Sequence, residues 1–438
     1  MIKITFMGAG STVFSKNILG DCLVTEALKD IEIALYDIDG SRLEESFSVI
    51  SALSNTYNKS AKIKKYLGKE QRREALKGAD FVVNAIQVGG YDPCTITDFE
   101  IPKKFGLRQT IADTLGIGGI FRALRTIPVM LDFAEDMEAV CPDAWLLNYT
   151  NPMSMLTGAM LRHTNVKTVG LCHSVQVCAQ SILETVGMKD VYDENVRWDI
   201  AGINHQSWLL SITKNGADLY PEIKRRANEG LIENKDDLVR VKIMQTFGYY
   251  ITESSEHLSE YLPYFIKSQN PELIEAYNIP LDEYPRRCVS QISSWEEQRK
   301  TLVGNPNLEH TRTHEYGSRI IEAMVTNNPI KIGGNVLNSG IITNLPSNAC
   351  VEVPCLVDSS GIVPTYVGDL PEQLAALNRT NINPQLLTIE AAVTGSREKV
   401  YQAALLDPHT SSELTIDQTV AMCDELLAAH KDWLPKYK

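Results

Sequence analysis

The sequence predicts an α/β fold: a Rossmann-like, doubly wound parallel sheet followed by a mixed α/β second domain. Two observations predict it. Six short apolar runs alternate with helical patterns in the first half of the chain, and strands separated by helices fold as βαβ units with a parallel sheet. A glycine turn also stands directly after the first run, where a dinucleotide-binding sheet makes its first tight turn.

In order, "IKITFMG" (2–8) is a strand running into glycine, and "IEIALYDID" (31–39) is the second strand. "SRLEESFSVISALSNTY" (41–57) has helical spacing. "AKIKKYL" (61–67), "ADFVVNAI" (79–86), "AWLLNY" (144–149) and "VKTVGL" (166–171) are the remaining four strands. Beyond about residue 195 the rhythm breaks into aromatic and charged stretches such as "TESSEHLSEYLPYF" (252–265). An apolar, loop-rich run (333–354) follows, and then "QLLTIEAAVTGSREKVYQAALL" (385–406), which reads as helical. The expected division is 1–196 for the nucleotide-binding domain and 197–438 for the mixed α/β domain. A chain of 438 residues suits two domains, since single cores rarely grow past roughly 250–300 residues.

The net charge of −13 argues against nucleic acid or an anionic membrane as partner, because both are polyanions. The N-terminus lacks the apolar core and cleavage site of a signal peptide, and no stretch has the roughly 18–20 apolar residues of a membrane span. Nine scattered cysteines suit a reducing cytoplasm better than a disulfide framework.

Gly8 and Gly10 in "GAGST" let the backbone turn tightly against a pyrophosphate, with the next helix's N-terminus facing its charge. The third glycine of the fingerprint is absent. Asp37, ending the second strand, stands where a carboxylate accepts from the adenosine ribose hydroxyls, which favours NAD over NADP. A second glycine cluster, "ADTLGIGGIFRALRTIP" (112–128), reads equally as a loop with a solvated helix or as a mobile loop over the nicotinamide. In the second case Asp113 and an arginine would stand near substrate.

"LCHSVQ" (171–176) follows the sixth strand at the carboxyl edge of the sheet, where open α/β sheets bind ligands. Cys172 and His173 are poorly placed as nucleophile and base, since neighbours on an extended chain point apart. Cys172 with the distant His205 in an open metal site is easier, and buried core residues are an equal reading. Asn148 and Asn151 of "NYTNP" would hydrogen-bond a polyhydroxylated ligand. Glu253, Glu256, His257, Tyr261 and Tyr264 are acid–base candidates, although an amphipathic helix with a solvated face explains the same letters.

"GAGST", "ADTLGIGGIFRALRTIP", "NYTNP", "CHSVQ", "AGINH" and "NLPSNACVEVP", in this order, resemble the NAD- and manganese-dependent glycosidases of glycoside hydrolase family 4 over essentially the whole chain. "CHSVQ", "TESSEHLSEY" and "DEYPRRC" are similar to its α-galactosidase branch. The resemblance implies a lactate/malate dehydrogenase-like fold, a homo-oligomer, and hydrolysis of unphosphorylated α-galactosides of the melibiose or raffinose type. It implies oxidation of the sugar at C3 by NAD, loss of the C2 proton, elimination, water addition and re-reduction, the exception to two-carboxylate glycosidases. It makes Cys172 and His205 ligands of Mn2+, Tyr261 the C2 base, and Gly8, Gly10, Ser11 and Asp37 the NAD site. Asn148, Asn151 and Arg287 would contact substrate. Relatives with an aspartate after the metal cysteine act on sugar phosphates; here His173 stands there, and His173 or Asp113 would protonate the leaving group. The alternatives are an α-glucosidase or α-glucuronidase of the same family, or a plain NAD-dependent dehydrogenase.

Overall fold

The computed structural model describes residues 1–438. The six expected strands are present: β1 (Ile2–Met7), β2 (Ile31–Asp37), β3 (Lys62–Leu67), β4 (Phe81–Asn84), β5 (Trp145–Asn148) and β6 (Lys167–Gly170). They lie parallel in the order β3-β2-β1-β4-β5-β6. This is the strand order of a doubly wound dinucleotide sheet. Covered by helices on both faces, β1 and β2 are almost continuously buried, which is why they read as apolar runs rather than alternations. β3 is the exposed edge, and its lysines discourage pairing with another chain.

The helix Gly40–Tyr57 begins at Asp39, whose carboxylate accepts from the Ser41 and Arg42 amides. Its buried positions, Leu43, Ser46, Val49, Ile50 and Leu53, recur at helical spacing and cover the sheet.

The second half adds β7 (Val196–Ile203), β8 (Gln206–Lys214), β9 (Ala217–Asp218), β10 (Tyr250–Ile251), β11 (Ile330–Leu337), β12 (Cys350–Asp358) and β13 (Gly361–Pro364). These strands pair antiparallel, and they extend the first sheet rather than forming a separate one. β11 bridges to β6 through Asn335 and Gly170, and β12 bridges to β7 through Glu352 and Gly202.

The stretch 385–406 is two helices, Glu372–Thr394 and Arg397–Leu406, broken at Gly395, whose φ of +71° caps the first. Both pack on the long helix Gly116–Val140 of the first half, so the main apolar core draws residues from Ile4 to Tyr437. No helix is long and apolar enough to cross a membrane, and all nine cysteines are buried and unpaired.

Candidate active site

The glycine turn closes on two neighbouring strands. Gly8 has φ +84°, and a Cβ there would lie 2.7 Å from the Ala85 carbonyl oxygen; a Cβ at Gly10 would lie 2.8 Å from Asp37 Oδ2. The Gly10 amide instead donates to that oxygen at 2.6 Å, and the Asp39 amide donates to Asp37 Oδ1 at 2.9 Å. Each carboxylate oxygen keeps a further lone pair. Ser11 precedes the helix Thr12–Val24, with its hydroxyl uncommitted to a cap. A turn that a methyl group would obstruct, leading to a helix N-terminus, fits a pyrophosphate.

Beyond this turn a cavity of about 720 Å³ opens at the carboxyl ends of the central strands. Asp113, Asn151, Cys172, His173, His205 and Arg287 all line it. Cys172 lies two residues after β6, its carbonyl accepting from the Tyr316 hydroxyl at 2.9 Å and its sulfur 3.1 Å from Ser174 Oγ. His205 occupies the turn between β7 and β8. Its Nε2 is 3.4 Å from Glu253 Oε2, and its Nδ1 is 3.4 Å from the Tyr261 hydroxyl. Tyr261 is fully buried just behind the lining.

Two triads bring possible ligand atoms within 4.8 Å of one another: Cys172, His205 and Glu253, and Asp113, His205 and His257. A thiolate, an imidazole and a carboxylate make a donor set that suits a divalent transition ion. Cys172 and His173 do not face one another: His173 has helical φ/ψ (−73°, −26°) at the start of the helix Ser174–Thr185, and its Nε2 turns to Glu315 Oε2 at 2.7 Å.

Asn151 donates to Asp113 Oδ2 at 3.3 Å, while its own buried Oδ1 has no partner, as a ligand-contacting amide should. Asp113 Oδ1 accepts from Thr114 Oγ1 at 2.7 Å. Arg287 is held at the cavity by Glu256 and Glu283. Burial alone would raise the Asp113 carboxyl, but His257, Arg122 and His205 outweigh it and hold it below the usual carboxylate range. The Glu315 hydrogen bond raises His173 above the ordinary imidazole value against burial. Burial, then the Asp113, Glu260 and Glu253 carboxylates, push the Tyr261 phenol well above its usual value.

Three expectations need correction. Asn148 does not line the cavity. It is fully buried, donating to Thr150 O and Thr157 Oγ1 at 3.2 Å and accepting from Asn84 at 2.9 Å. It braces the ends of β4 and β5, and its amide is spent on protein groups. The cluster 112–128 is neither a solvated face nor an open loop, because every residue of 112–127 is buried. A Cβ on Gly118 or Gly119 would come within 2.6 Å of Ala112 or Thr114, so these glycines let the Asp113 turn pack onto the helix. Within the stretch 252–265 the helix Ser255–Tyr261 is buried except for Glu256; His257 lines the cavity, while Ser255 and Glu260 are bonded to Asp237 and to the Thr110 and Ala112 amides. Tyr264 lies outside, stacked on Phe247.

Arg122 is the arginine of the 112–128 cluster that stands in the cavity wall, its Nη1 donating to the Tyr284 hydroxyl at 3.3 Å; sequence reasoning passed over Glu315. Glu352 was also missed, although it stood in a recognised motif. A charged residue inside the apolar run "ACVEVP" was the one signal available.

Residues 3–188 match the model of family 4 glycosyl hydrolases, and residues 200–410 match that of the family 4 glycosyl hydrolase C-terminal domain. An α-galactosidase of Bacillus subtilis (strain 168) is 63% identical over 438 residues, the full length of both chains. Among solved structures, a 6-phospho-α-glucosidase from gut microorganisms in complex with NAD and Mn2+ superposes with a TM-score of 0.81 at 20% identity. It covers the whole of both chains. Malate dehydrogenase from Plasmodium falciparum with NADH superposes at 0.51 and 15% identity, over 90% of this chain and 99% of that one, which bears out the dehydrogenase-like fold. With both halves of the chain matched, this protein belongs to family 4 of the glycosyl hydrolases.

Proposed function

We propose that the protein is an NAD- and manganese-dependent α-galactosidase hydrolysing unphosphorylated α-galactosides of the melibiose or raffinose type. The observation that carries this is that Cys172 and His205 meet at one cavity beside the glycine turn, with the Tyr261 hydroxyl 3.4 Å behind His205 Nδ1. Identity of 63% to an α-galactosidase along the full chain supports the sugar. Each cavity arginine already faces a partner: Arg240 with Asp237, Arg287 with Glu256, and Arg122 with Tyr284. Two of the three are neutralised by carboxylates and Arg122 faces only a neutral hydroxyl, an environment that supports an unphosphorylated substrate.

Gly8, Gly10, Ser11 and Asp37 would hold the dinucleotide, and Cys172 and His205 the metal. When bound, NAD would supply a reversible hydride acceptor at the sugar C3, and the divalent ion would supply Lewis-acid stabilisation of the developing oxyanion. The chain's own groups do the rest. Asn151 Oδ1 accepts from a sugar hydroxyl and Arg287 closes the opposite wall. The Tyr261 oxygen takes the C2 proton, which its buried position shields from exchange with bulk water except on turnover. His173, held through Nε2 by Glu315, keeps Nδ1 free of partners within the chain and can carry the proton for the leaving oxygen. Asp113, anchored by Thr114 and Asn151, stands as the second donor to test.

Residues 1–196 are read as the nucleotide half and 197–438 as the half that completes the sugar and metal site, supported by the change from parallel to antiparallel strands after β6. Nine buried, unpaired cysteines support a reducing cytoplasm. The family resemblance supports a homo-oligomer, dimer or tetramer.

The test is hydrolysis of p-nitrophenyl α-galactoside with NAD, Mn2+ or thiol omitted in turn. Each omission should abolish turnover, and reaction in D2O should place deuterium at C2 of the released galactose. Activity that survives removal of both cofactors overturns the proposal, and steady accumulation of NADH would point to a dehydrogenase instead.

A further inference from the structure

Glu253 has a backbone that its residue type rarely adopts. Its φ is +66°, in the left-handed region that costs every residue but glycine, and such outliers persist where the surroundings enforce them, often at functional sites. The enforcement is visible. Immediately after β10, the Thr252 amide donates to the Ser207 carbonyl at 2.8 Å, and Thr252 Oγ1 accepts from the Ser207 amide at 3.1 Å. Ser207 is two residues beyond His205, so the chain is pinned alongside the histidine just before it turns at Glu253.

That turn delivers the carboxylate into the cavity wall. Oε1 accepts from the Ser254 amide at 3.1 Å. Oε2 takes no hydrogen bond; it lies 3.4 Å from His205 Nε2, within the cluster that includes the Cys172 sulfur. The neighbouring triad is more engaged within the protein, although His257 Nε2 stays unbonded, 3.8 Å from Asp113 Oδ1. Asp113 accepts from Thr114 and Asn151 through its two oxygens, and His257 Nδ1 is bonded to Ser254 Oγ at 2.7 Å. His205 belongs to both groups, but its Nε2 is the nitrogen beside Glu253, whereas its Nδ1 lies beside the Tyr261 hydroxyl.

We propose that Glu253 is the third protein ligand of the divalent metal site, adding a carboxylate oxygen to the Cys172 sulfur and the His205 nitrogen. This rests on Cys172 and His205 being ligands. A hard oxygen biases a Cys–His pair towards Mn2+ over softer-site ions. Thiolate and carboxylate together would also neutralise a dication. All three residues line the cavity, so substrate hydroxyls entering it could complete the coordination.

The experiment titrates Mn2+ into metal-stripped full-length protein saturated with NAD, following free Mn2+ by electron paramagnetic resonance. Wild type should bind one Mn2+ per chain, and C172S should lose it. E253Q should raise the Mn2+ Kd by at least about tenfold, since even outer-shell partners of metal ligands are worth that much, with NAD affinity unchanged. E253G guards against misfolding: it fits the left-handed backbone, so it should melt no lower than metal-free wild type while binding Mn2+ as weakly as E253Q. If E253Q and E253G bind Mn2+ as tightly as wild type but turn over slowly, Glu253 contacts sugar and the proposal is overturned. If wild type binds none, the Cys172–His205 reading falls first and takes the proposal with it.

Discussion

Glu352 lies in the middle of β12 with no solvent exposure and no lysine or arginine within ion-pair distance. Its carboxylate survives there because three side chains donate to it: Ser207 Oγ at 2.7 Å on Oε2, and Asn335 and Asn204 Nδ2 at 3.0 and 3.2 Å on Oε1. Burial raises its carboxyl above the usual range, against the pull of Ser207 and His205. Asn204 and Ser207 bracket His205, and Asn335 also donates to the Gly170 carbonyl at the end of β6. One acid thus ties together the two strand ends that carry Cys172 and His205. In Glu352→Gln the amide oxygen keeps both asparagine donors. The new NH2 donates to Ser207 Oγ, whose hydrogen turns to the Ile203 carbonyl already 3.0 Å away. That exchange should cost under about 1 kcal/mol. Glu352→Ala instead strands two buried amide donors at about 1–3 kcal/mol each and leaves a gap in the strand, so roughly 4 kcal/mol should be lost. Urea unfolding monitored by circular dichroism and tryptophan fluorescence measures both, provided the two probes give coincident transitions. Mn2+ affinity should fall in the alanine variant and hold in the glutamine variant. Equal destabilisation by the two, or a loss below about 1 kcal/mol for alanine, would refute the assignment of these hydrogen bonds.

Gly10→Ala should remove measurable NAD binding while leaving Mn2+ binding intact, because the added Cβ would sit 2.8 Å from Asp37 Oδ2 and displace the amide that holds that carboxylate; calorimetric titration of each ligand checks it. Tyr261→Phe should lower kcat by about 10²–10⁴-fold with little change in KM, and should abolish deuterium incorporation at C2, which a merely structural tyrosine would not. Asp21 is buried and accepts from His310, from the Thr313 amide and hydroxyl, and from Ser318. Burial opposes its ionisation, but the His310 and Thr313 hydrogen bonds outweigh it and keep its carboxyl below the usual range. Its folded pKa being the lower one, its contribution is complete above the unfolded value of about 3.9 and is lost as pH falls through the folded value. Asp21→Asn should therefore destabilise at pH 7 by about 2–4 kcal/mol, and the gap to wild type should begin to narrow as pH falls below about 4 in urea melts.

The parallel half was legible because its signals are local. A strand covered by helices on both faces must be an apolar run, and a chain that turns 2.7 Å from the Ala85 carbonyl must use glycine; each leaves its mark in a few consecutive letters, even though the Gly8 turn meets a strand 77 residues away. The site itself is assembled from contacts that span the chain. Glu315 reaches His173 across 142 residues, Glu352 reaches Ser207 across 145, and Glu260 accepts from the Ala112 amide across 148. No periodicity encodes such pairings. Asn148 shows the limit sharply: it stands three letters from Asn151 in the same motif. Yet it ends a strand and spends its amide on Asn84 and Thr157, whereas Asn151 leaves an oxygen open in the cavity. By itself the sequence determined the six parallel strands, the nucleotide turn and, through motif resemblance, the pair Cys172 and His205. Only the tertiary structure decided which acids stand beside that pair, because the turn at Glu253 and the carboxylate of Glu352 acquire their partners when β7, β8, β10 and β12 close on the edge of the parallel sheet.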